Sequence, residues 1–200
     1  MTIIAPSFWI KTQVEQSFLS SYDVVVQHNK IDLVHFNKTN SRFREKYCIQ
    51  DKFVILGVQS AWGKSKGLYD FDKLAQVLNN HYQIVLVGIT EKQKRMLSDR
   101  IICVPRTNSI QELAEIYSAA DLFLNLTYQD NYPTVNLEAQ ACETACITYR
   151  TGGSPESVPK ENVVDKGNLS QIIEMISKGN YAPALDPTVL YIEETRLKLE

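Results

Sequence analysis

What most limits the folds open to this chain is a series of short, unbroken apolar runs set between segments of helical period. Phe53-Val54-Ile55-Leu56-Gly57-Val58 is apolar at successive positions instead of alternate ones, the pattern of a strand covered on both faces. Ile84 to Val87, Ile101 to Val104, Leu122 to Leu126 and Ala145 to Thr148 repeat it, and Val163-Val164 is a shorter example. Between these runs, Phe71, Leu74, Ala75 and Leu78 recur at helical spacing, and Glu91 to Leu97 is rich in helix formers. Ser109-x-x-Glu112 is a capping box that opens a helix to about Ala119. Val135 to Ala141 and Leu169 to Ser177 complete the alternation. Such strands alternating with helices predict an α/β fold, a Rossmann-like parallel sheet with helices on both faces. Ligands of these sheets sit beyond the carboxyl ends of the strands, so chemistry is expected in the loops that leave them.

The first residues follow the same style on a smaller scale: a strand at Ile3-Ile4, a helix from Trp9 to Leu19, and a strand at Val24-Val25-Val26. From Asn29 to Asn40 the chain turns polar and loop-like. The predicted organisation is a small segment, 1–28, and a larger domain, 29–200, with the boundary near Asn29-Lys30-Ile31-Asp32. At roughly 150 residues per domain, a chain of 200 suggests one large domain or one domain with an attached remnant of another.

Composition excludes several classes. With 44% apolar and 22% charged residues the chain is globular, and a net charge of -2 carries no footprint for nucleic acid or an anionic membrane. The longest apolar run, Ile84 to Ile89, falls far short of the ~20 residues that span a bilayer. Lys11 cuts short the apolar N-terminus, which makes a poor signal peptide, and the expected compartment is the cytoplasm. Cys48, Cys103, Cys142 and Cys146 lack metal-site spacing and are expected to be reduced, mostly buried thiols. The final Leu199-Glu200 reads as a vector scar.

Three loops on the predicted ligand edge carry candidate chemistry. In Asp130-Asn131-Tyr132-Pro133-Thr134-Val135-Asn136-Leu137-Glu138, Pro133 suits a first helical turn, and Thr134 is expected to cap the helix. Thr134 and Glu138, four apart, share a helix face. The patch offers amides and a hydroxyl to a phosphate, and a carboxylate to sugar or ribose hydroxyls. By spacing alone it is also a capped helix with solvated acids. Ser60 to Gly67 places Lys64 and Lys66 among small residues, which suits a diphosphate or a solvated turn. It is not a Walker loop, and no strand is followed by Gly-x-Gly-x-x-Gly, which argues against a dinucleotide oxidoreductase. Gly152-Gly153-Ser154-Pro155-Glu156 permits close backbone approach or a plain turn. Tyr128, Tyr132 and Tyr149 are expected to pack in the core or at its rim.

In this order the loops resemble the C-terminal half of a group 1 glycosyltransferase, a retaining enzyme of the GT-B fold. Asp130 to Ala139 is similar to the family's Glu-x7-Glu motif in spacing and in the run Pro133-Thr134-Val135-Asn136-Leu137-Glu138-Ala139. Lys66-Gly67 resembles its Lys-Gly, and Gly152 to Glu156 its Gly-Gly-x-Pro-Glu. Pro6-Ser7-x-Trp9 and Asn29-Lys30-Ile31-Asp32 resemble the passage between its two domains. The resemblance implies a hexosyltransferase-like enzyme of polysaccharide or glycoconjugate biosynthesis, of which this chain is the half that binds the nucleotide-sugar donor. Glu138 would hold the ribose, Asp130 the hydroxyls of the transferred sugar, and Lys66 the diphosphate. Backbone amides of Asn131, Tyr132, Thr134 and Val135 would assist, with the loop at Pro105-Arg106 along the base.

The resemblance implies no metal and no separate cofactor, the donor being a substrate. A saccharide or lipid-linked acceptor, and any peripheral membrane contact, would come through an N-terminal half, without which the fragment is expected to be inactive. The chain departs from the family pattern at Asp130, which replaces a Glu, at Ser65, which replaces a basic residue, and at Lys30, which replaces a Gly. Cys142-Glu143-Thr144-Ala145 also stands where the family has Cys-Gly-Thr-Pro. These departures leave open a non-catalytic module that kept the fold.

Overall fold

The computed structural model describes residues 1–186; residues 187–200, with Leu199-Glu200, lie outside it. Two parallel sheets form. The smaller pairs β1 (Thr2–Ala5) with β2 (Asp23–Val26), joined through α1 (Phe8–Glu15). Ile4 lies opposite Val25, and both stay exposed, at 65% and 44%. Helix α1 buries no residue fully. It also stops short of the expected Leu19. The Ser17 hydroxyl donates to the Val14 carbonyl and accepts from the Leu19 amide, so a local bond replaces the next helical turn.

The larger sheet holds β3 (Phe53–Val58), β4 (Tyr82–Val87), β5 (Ile101–Val104), β6 (Leu122–Asn125), β7 (Ala145–Tyr149) and β8 (Val163–Val164). All pairs are parallel and the order is β5-β4-β3-β6-β7-β8. Counted from β3, this is the strand order of a doubly wound dinucleotide-type sheet, with its reversal between β3 and β6. Helices α3 (Leu68–Val77) and α7 (Leu169–Lys178) pack one face, where Phe71, Leu74 and Ile172 meet Ile55, Leu86 and Leu122. On the other face α2 (Phe43–Lys46), α5 (Ile110–Ala119) and α6 (Thr134–Ala141) pack on Val54, Leu56 and Phe123. Strand residues thus feed both cores in alternation, which explains their continuous apolarity.

Helix α2, which carried no periodic signal, is tied down by Arg44 in addition to its buried Phe43. The Arg44 guanidinium donates to the carbonyls of Ala119 and Lys52 and to Asp121 Oδ2 at 2.6 Å. That same Asp121 oxygen accepts from the Val54 amide, so Asp121 joins β3, β6 and α2.

Several local expectations need correction. Helix α4 covers only Glu91–Lys94 instead of reaching Leu97, because the next amides bond three residues back, Met96 to Gln93 and Leu97 to Lys94. The reciprocal capping box lies there, between Thr90 and Gln93. At Ser109 only half of it forms: Ser109 accepts from the Glu112 amide, while the Glu112 carboxylate takes the amide of Asn108. Of the cysteines, Cys142 and Cys146 are buried, Cys103 is half-buried and Cys48 is exposed; all are free thiols.

Candidate functional site

The chain leaves β3 toward one edge of the sheet and β6 toward the other, so their carboxyl ends border a crevice. Residues 59–67 and 126–133 line it and are bonded together. The Tyr128 amide donates to the Ser65 carbonyl at 2.8 Å. Gly67, at φ 71°, passes so near Leu126 that a Cβ would lie 2.2 Å from its carbonyl oxygen. Across this seam Lys66 Nζ meets Asp130 Oδ2 at 2.8 Å, with side chains 29% and 19% exposed. The expected cation and the expected sugar-binding carboxylate are therefore direct partners.

On the α5–α6 side a cavity of about 490 Å³ opens, lined by Gln59, Arg106, Asn108, Thr134, Val135 and Glu138 among others. Glu138 is the acid at its wall. Its Oε2 accepts from the Tyr117 hydroxyl at 3.0 Å, and the Thr134 hydroxyl bonds the same carboxylate. Burial raises the Glu138 pKa above the ordinary carboxylate value, and the two hydroxyls oppose that shift. Tyr117 is wholly buried; desolvation first, then the Glu138 charge, drive its pKa far up, so the phenol stays a donor.

Thr134 is thus not the cap it was expected to be. Pro133, at φ -74° and ψ 116°, occupies that place without a side-chain bond, and Thr134 begins the helix with its hydroxyl turned to Glu138. Arg106, Thr134, Val135 and Glu138 share the cavity, while Pro105, Lys66, Asp130, Asn131 and Tyr132 are not among its lining. Tyr132 is buried away from it, its ring stacked on His28 at 4.5 Å.

A larger open groove, about 1000 Å³, lies on the far side of the Lys64–Gly67 turn against Tyr69, Asp70, Lys73 and Tyr128. It contains neither Glu138 nor Arg106. Beneath it Asp70 Oδ2 accepts from the hydroxyls of Tyr128 and Tyr149 at 2.7 and 3.0 Å. Desolvation foremost, with the Asp70 bond behind it, pushes the Tyr128 phenol up to about 12. Tyr128 is thus a rim residue, and Tyr149 a core one, as expected.

The third loop has a structural task. Both Glu156 oxygens accept first-turn amides of α1, Phe8 N at 2.8 Å and Trp9 N at 2.9 Å, while Ser7 caps Ile10. Gly152 and Gly153 fill the gap between. A Cβ on them would stand 1.8 and 1.9 Å from the carbonyl oxygens of Asp130 and Asn131, and one on Gly153 also 2.7 Å from Ser7 Oγ. Two motifs some 150 residues apart in the chain thereby close on each other and on the Asp130 loop.

Sequence reasoning missed Tyr117, Gln59 and Asn108. Tyr117 alone left a trace, as the polar-tipped aromatic among the inward positions of α5.

Among known proteins, a family model described as glycosyl transferases group 1 matches residues 52–178. The N-acetyl-alpha-D-glucosaminyl L-malate synthase of Bacillus anthracis is 26% identical over 88% of this chain and 46% of its own length. The capsular polysaccharide biosynthesis glycosyltransferase CapM of Staphylococcus aureus is 24% identical over 88% of this chain and 51% of its own. The chain thus spans about half the length of these curated relatives. Of solved structures, sucrose-phosphate synthase from Thermosynechococcus elongatus superposes with a TM-score of 0.76 at 20% identity, covering 88% of this chain and 48% of that one. HepE of Anabaena, solved in complex with UDP-glucose, gives 0.74 at 20% identity over 88% and 53%. These likenesses establish the fold, one half of a GT-B architecture.

Proposed function

Because this chain belongs to the group 1 glycosyltransferases, we propose that it binds the nucleotide-sugar donor for a transfer that retains anomeric configuration. One observation carries this role: the cavity at the strand-order reversal, with Glu138 on its wall and the Lys66–Asp130 pair at the adjoining seam. Glu138, held by Tyr117 and Thr134, accepts the ribose hydroxyls. Arg106 and its neighbour Pro105 border the base. Lys66 exchanges Asp130 for the diphosphate, which frees the Asp130 carboxylate for hydroxyls of the transferred sugar. As the glycosidic bond to phosphate breaks, charge accumulates on the departing diphosphate. Lys66 and the amide end of α6, at Asn131 to Val135, stabilise it there without a metal. The UDP-glucose bound by HepE supports a donor of this class.

The acceptor side belongs to an N-terminal half. A parallel sheet is stable when both its faces are covered, yet the β1–β2 pair leaves Ile4 and Val25 bare. Residues 1–28 are accordingly the last part of that half, and 29–200 the donor domain. A saccharide or lipid-linked acceptor, contact with the cytoplasmic membrane surface, and a role in polysaccharide or glycoconjugate assembly follow from this placement. CapM, named for capsular polysaccharide biosynthesis, supports the last. Without the acceptor half the chain transfers no sugar. Among the described residues no helix is long and apolar enough to cross a membrane.

Titration calorimetry with UDP, GDP and ADP tests the proposal. At least one binds below millimolar concentration, and Glu138→Ala and Lys66→Ala each weaken it sharply. No heat with any of them into the millimolar range would sink it. Asp130, one methylene shorter than the family's Glu, favours a second possibility, a module that binds donor without transfer. Asp130→Glu in the full-length protein decides: a large gain in transfer marks a decayed site, and little change a working variant.

A further inference from the structure

Tyr117 lies on α5, outside the loops that carry the motifs. Its surroundings nonetheless give it one task. The ring is wholly buried and held edge-on by Phe36 at 6.2 Å and Phe123 at 5.6 Å. Its own carbonyl is pinned by the Thr144 hydroxyl at 2.7 Å and by the Ala120 amide. Neither ring nor backbone can swing, so the hydroxyl occupies a fixed point behind α6. There it donates to Glu138 Oε2 at 3.0 Å. A phenol buried this deeply must find an acceptor, and a carboxylate at a cavity wall needs a donor on its protein side.

We propose that Tyr117 is the positioning residue of the nucleotide site: its hydroxyl anchors one edge of the Glu138 carboxylate, so that the remaining lone pairs face the cavity and receive a ribose diol. Thr134, one turn earlier on α6, supplies the second anchor. This role rests on the nucleotide-binding function proposed above. The anchor also sustains the charge that diol recognition needs, since burial by itself favours the protonated acid. Around the carboxylate, Arg106 lines the same cavity and Cys142 lies one turn on along α6. Cys146 on β7 borders the phenol, and Lys38 acts on Cys142. Burial pushes the Cys142 thiol up to about 11 and the Cys146 thiol well above its ordinary value, so both stay neutral at pH 7. Of this carboxylate–thiol–phenol group, Glu138 is the one whose charge the anchor governs.

Tyr117→Phe keeps the ring and deletes the anchor. UDP affinity, by calorimetry on the whole chain, should fall about tenfold at pH 7, in keeping with a hydrogen bond to a charged group. The Glu138 carboxyl, followed by its 13C shift, should titrate about one pH unit higher, and the loss of UDP affinity on acidification should begin at correspondingly higher pH. A variant within twofold of a wild type that does bind UDP, with the titration unmoved, overturns the role of Tyr117 alone. Where the wild type prefers GDP or ADP, that nucleotide replaces UDP in the comparison, and a wild type that binds none of the three overturns the nucleotide function and this role with it. Should the variant not fold, 3-fluorotyrosine incorporation, which makes the phenol a stronger donor, must lower the Glu138 midpoint in the otherwise native chain. An unchanged midpoint refutes the proposal.

Discussion

Removing the Glu156 carboxylate should unlatch the small sheet while leaving the large one intact. Glu156 accepts two amides of α1 from 148 and 147 residues away, and those amides would otherwise be helix-end donors without a partner. A hydrogen bond to a charged group nets about 1.5 kcal/mol, and a negative charge at a helix N-terminus adds about 0.5 kcal/mol. Because the Phe8 amide is exposed, the pair is discounted to about 2 kcal/mol in all. That corresponds to a roughly 30-fold rise in the population of the detached state. Further ties include the His28–Tyr132 stack, the Asn29 amide on the Tyr132 carbonyl and the packing of Ser7 on Gly153, while α1 itself buries no residue fully. Hydrogen–deuterium exchange of Glu156→Ala should therefore show α1 amides losing about 30-fold in protection, with β3, β4 and β6 unchanged. Glu156→Gln, which keeps one acceptor, should lose roughly half as much in free energy. Unaltered α1 protection, or an equal loss in β3 and β4, would refute the latch.

Further outcomes follow from the same geometry. Glu138→Gln should stabilise the protein near pH 7 and lose that advantage toward pH 4. The buried acid binds its proton more tightly folded than unfolded, so the wild type loses stability as pH rises from the unfolded value of 4.5 through the raised folded one. Urea midpoints across that range read the difference. Gly153→Ala should lower thermal stability by several degrees and weaken nucleotide-sugar binding together, since its Cβ collides with backbone of the Asp130 loop. Arg44→Ala should cost about 2 kcal/mol in urea unfolding, because it removes charge-assisted bonds to Asp121 and two carbonyls at once from a partly exposed site. A loss under 1 kcal/mol would show that α2 is held by its apolar contacts instead.

The large sheet was legible because each of its central strands is apolar without alternation, and two-sided burial leaves no other explanation for Ile55 beside Val54 and Leu56. Helix lengths were less so. Ser17 ends α1 through bonds of its own hydroxyl, and no periodicity of apolar residues reports such a competition. Helix α2 stayed hidden because it is four residues long with one buried side chain, and its Arg44 bonds partners as far along the chain as Asp121. In the site, Lys66, Asp130 and Glu138 could be nominated from local motifs. That Lys66 and Asp130 touch, and that Thr134 serves Glu138 in place of capping, depends on how two loops cross at the strand reversal. Tyr117 was beyond reach for the same reason: its partner lies 21 residues on, in a different helix.

The pairing of β3 with β6 rests on two registered positions, Ile55 with Leu122 and Leu56 with Phe123, whereas β3 and β4 share six. During synthesis, residues 53–104 can close a three-stranded half before Leu122 has been made, and β6, β7 and β8 form a second half behind it. The short ladder is the weld between these two contiguous pieces. Lys66 belongs to the first and Asp130 to the second, so they meet only when the weld is made. The geometry of the proposed donor site is thus among the last things this chain acquires, and a nascent chain stalled between the halves would hold a well-formed sheet without it.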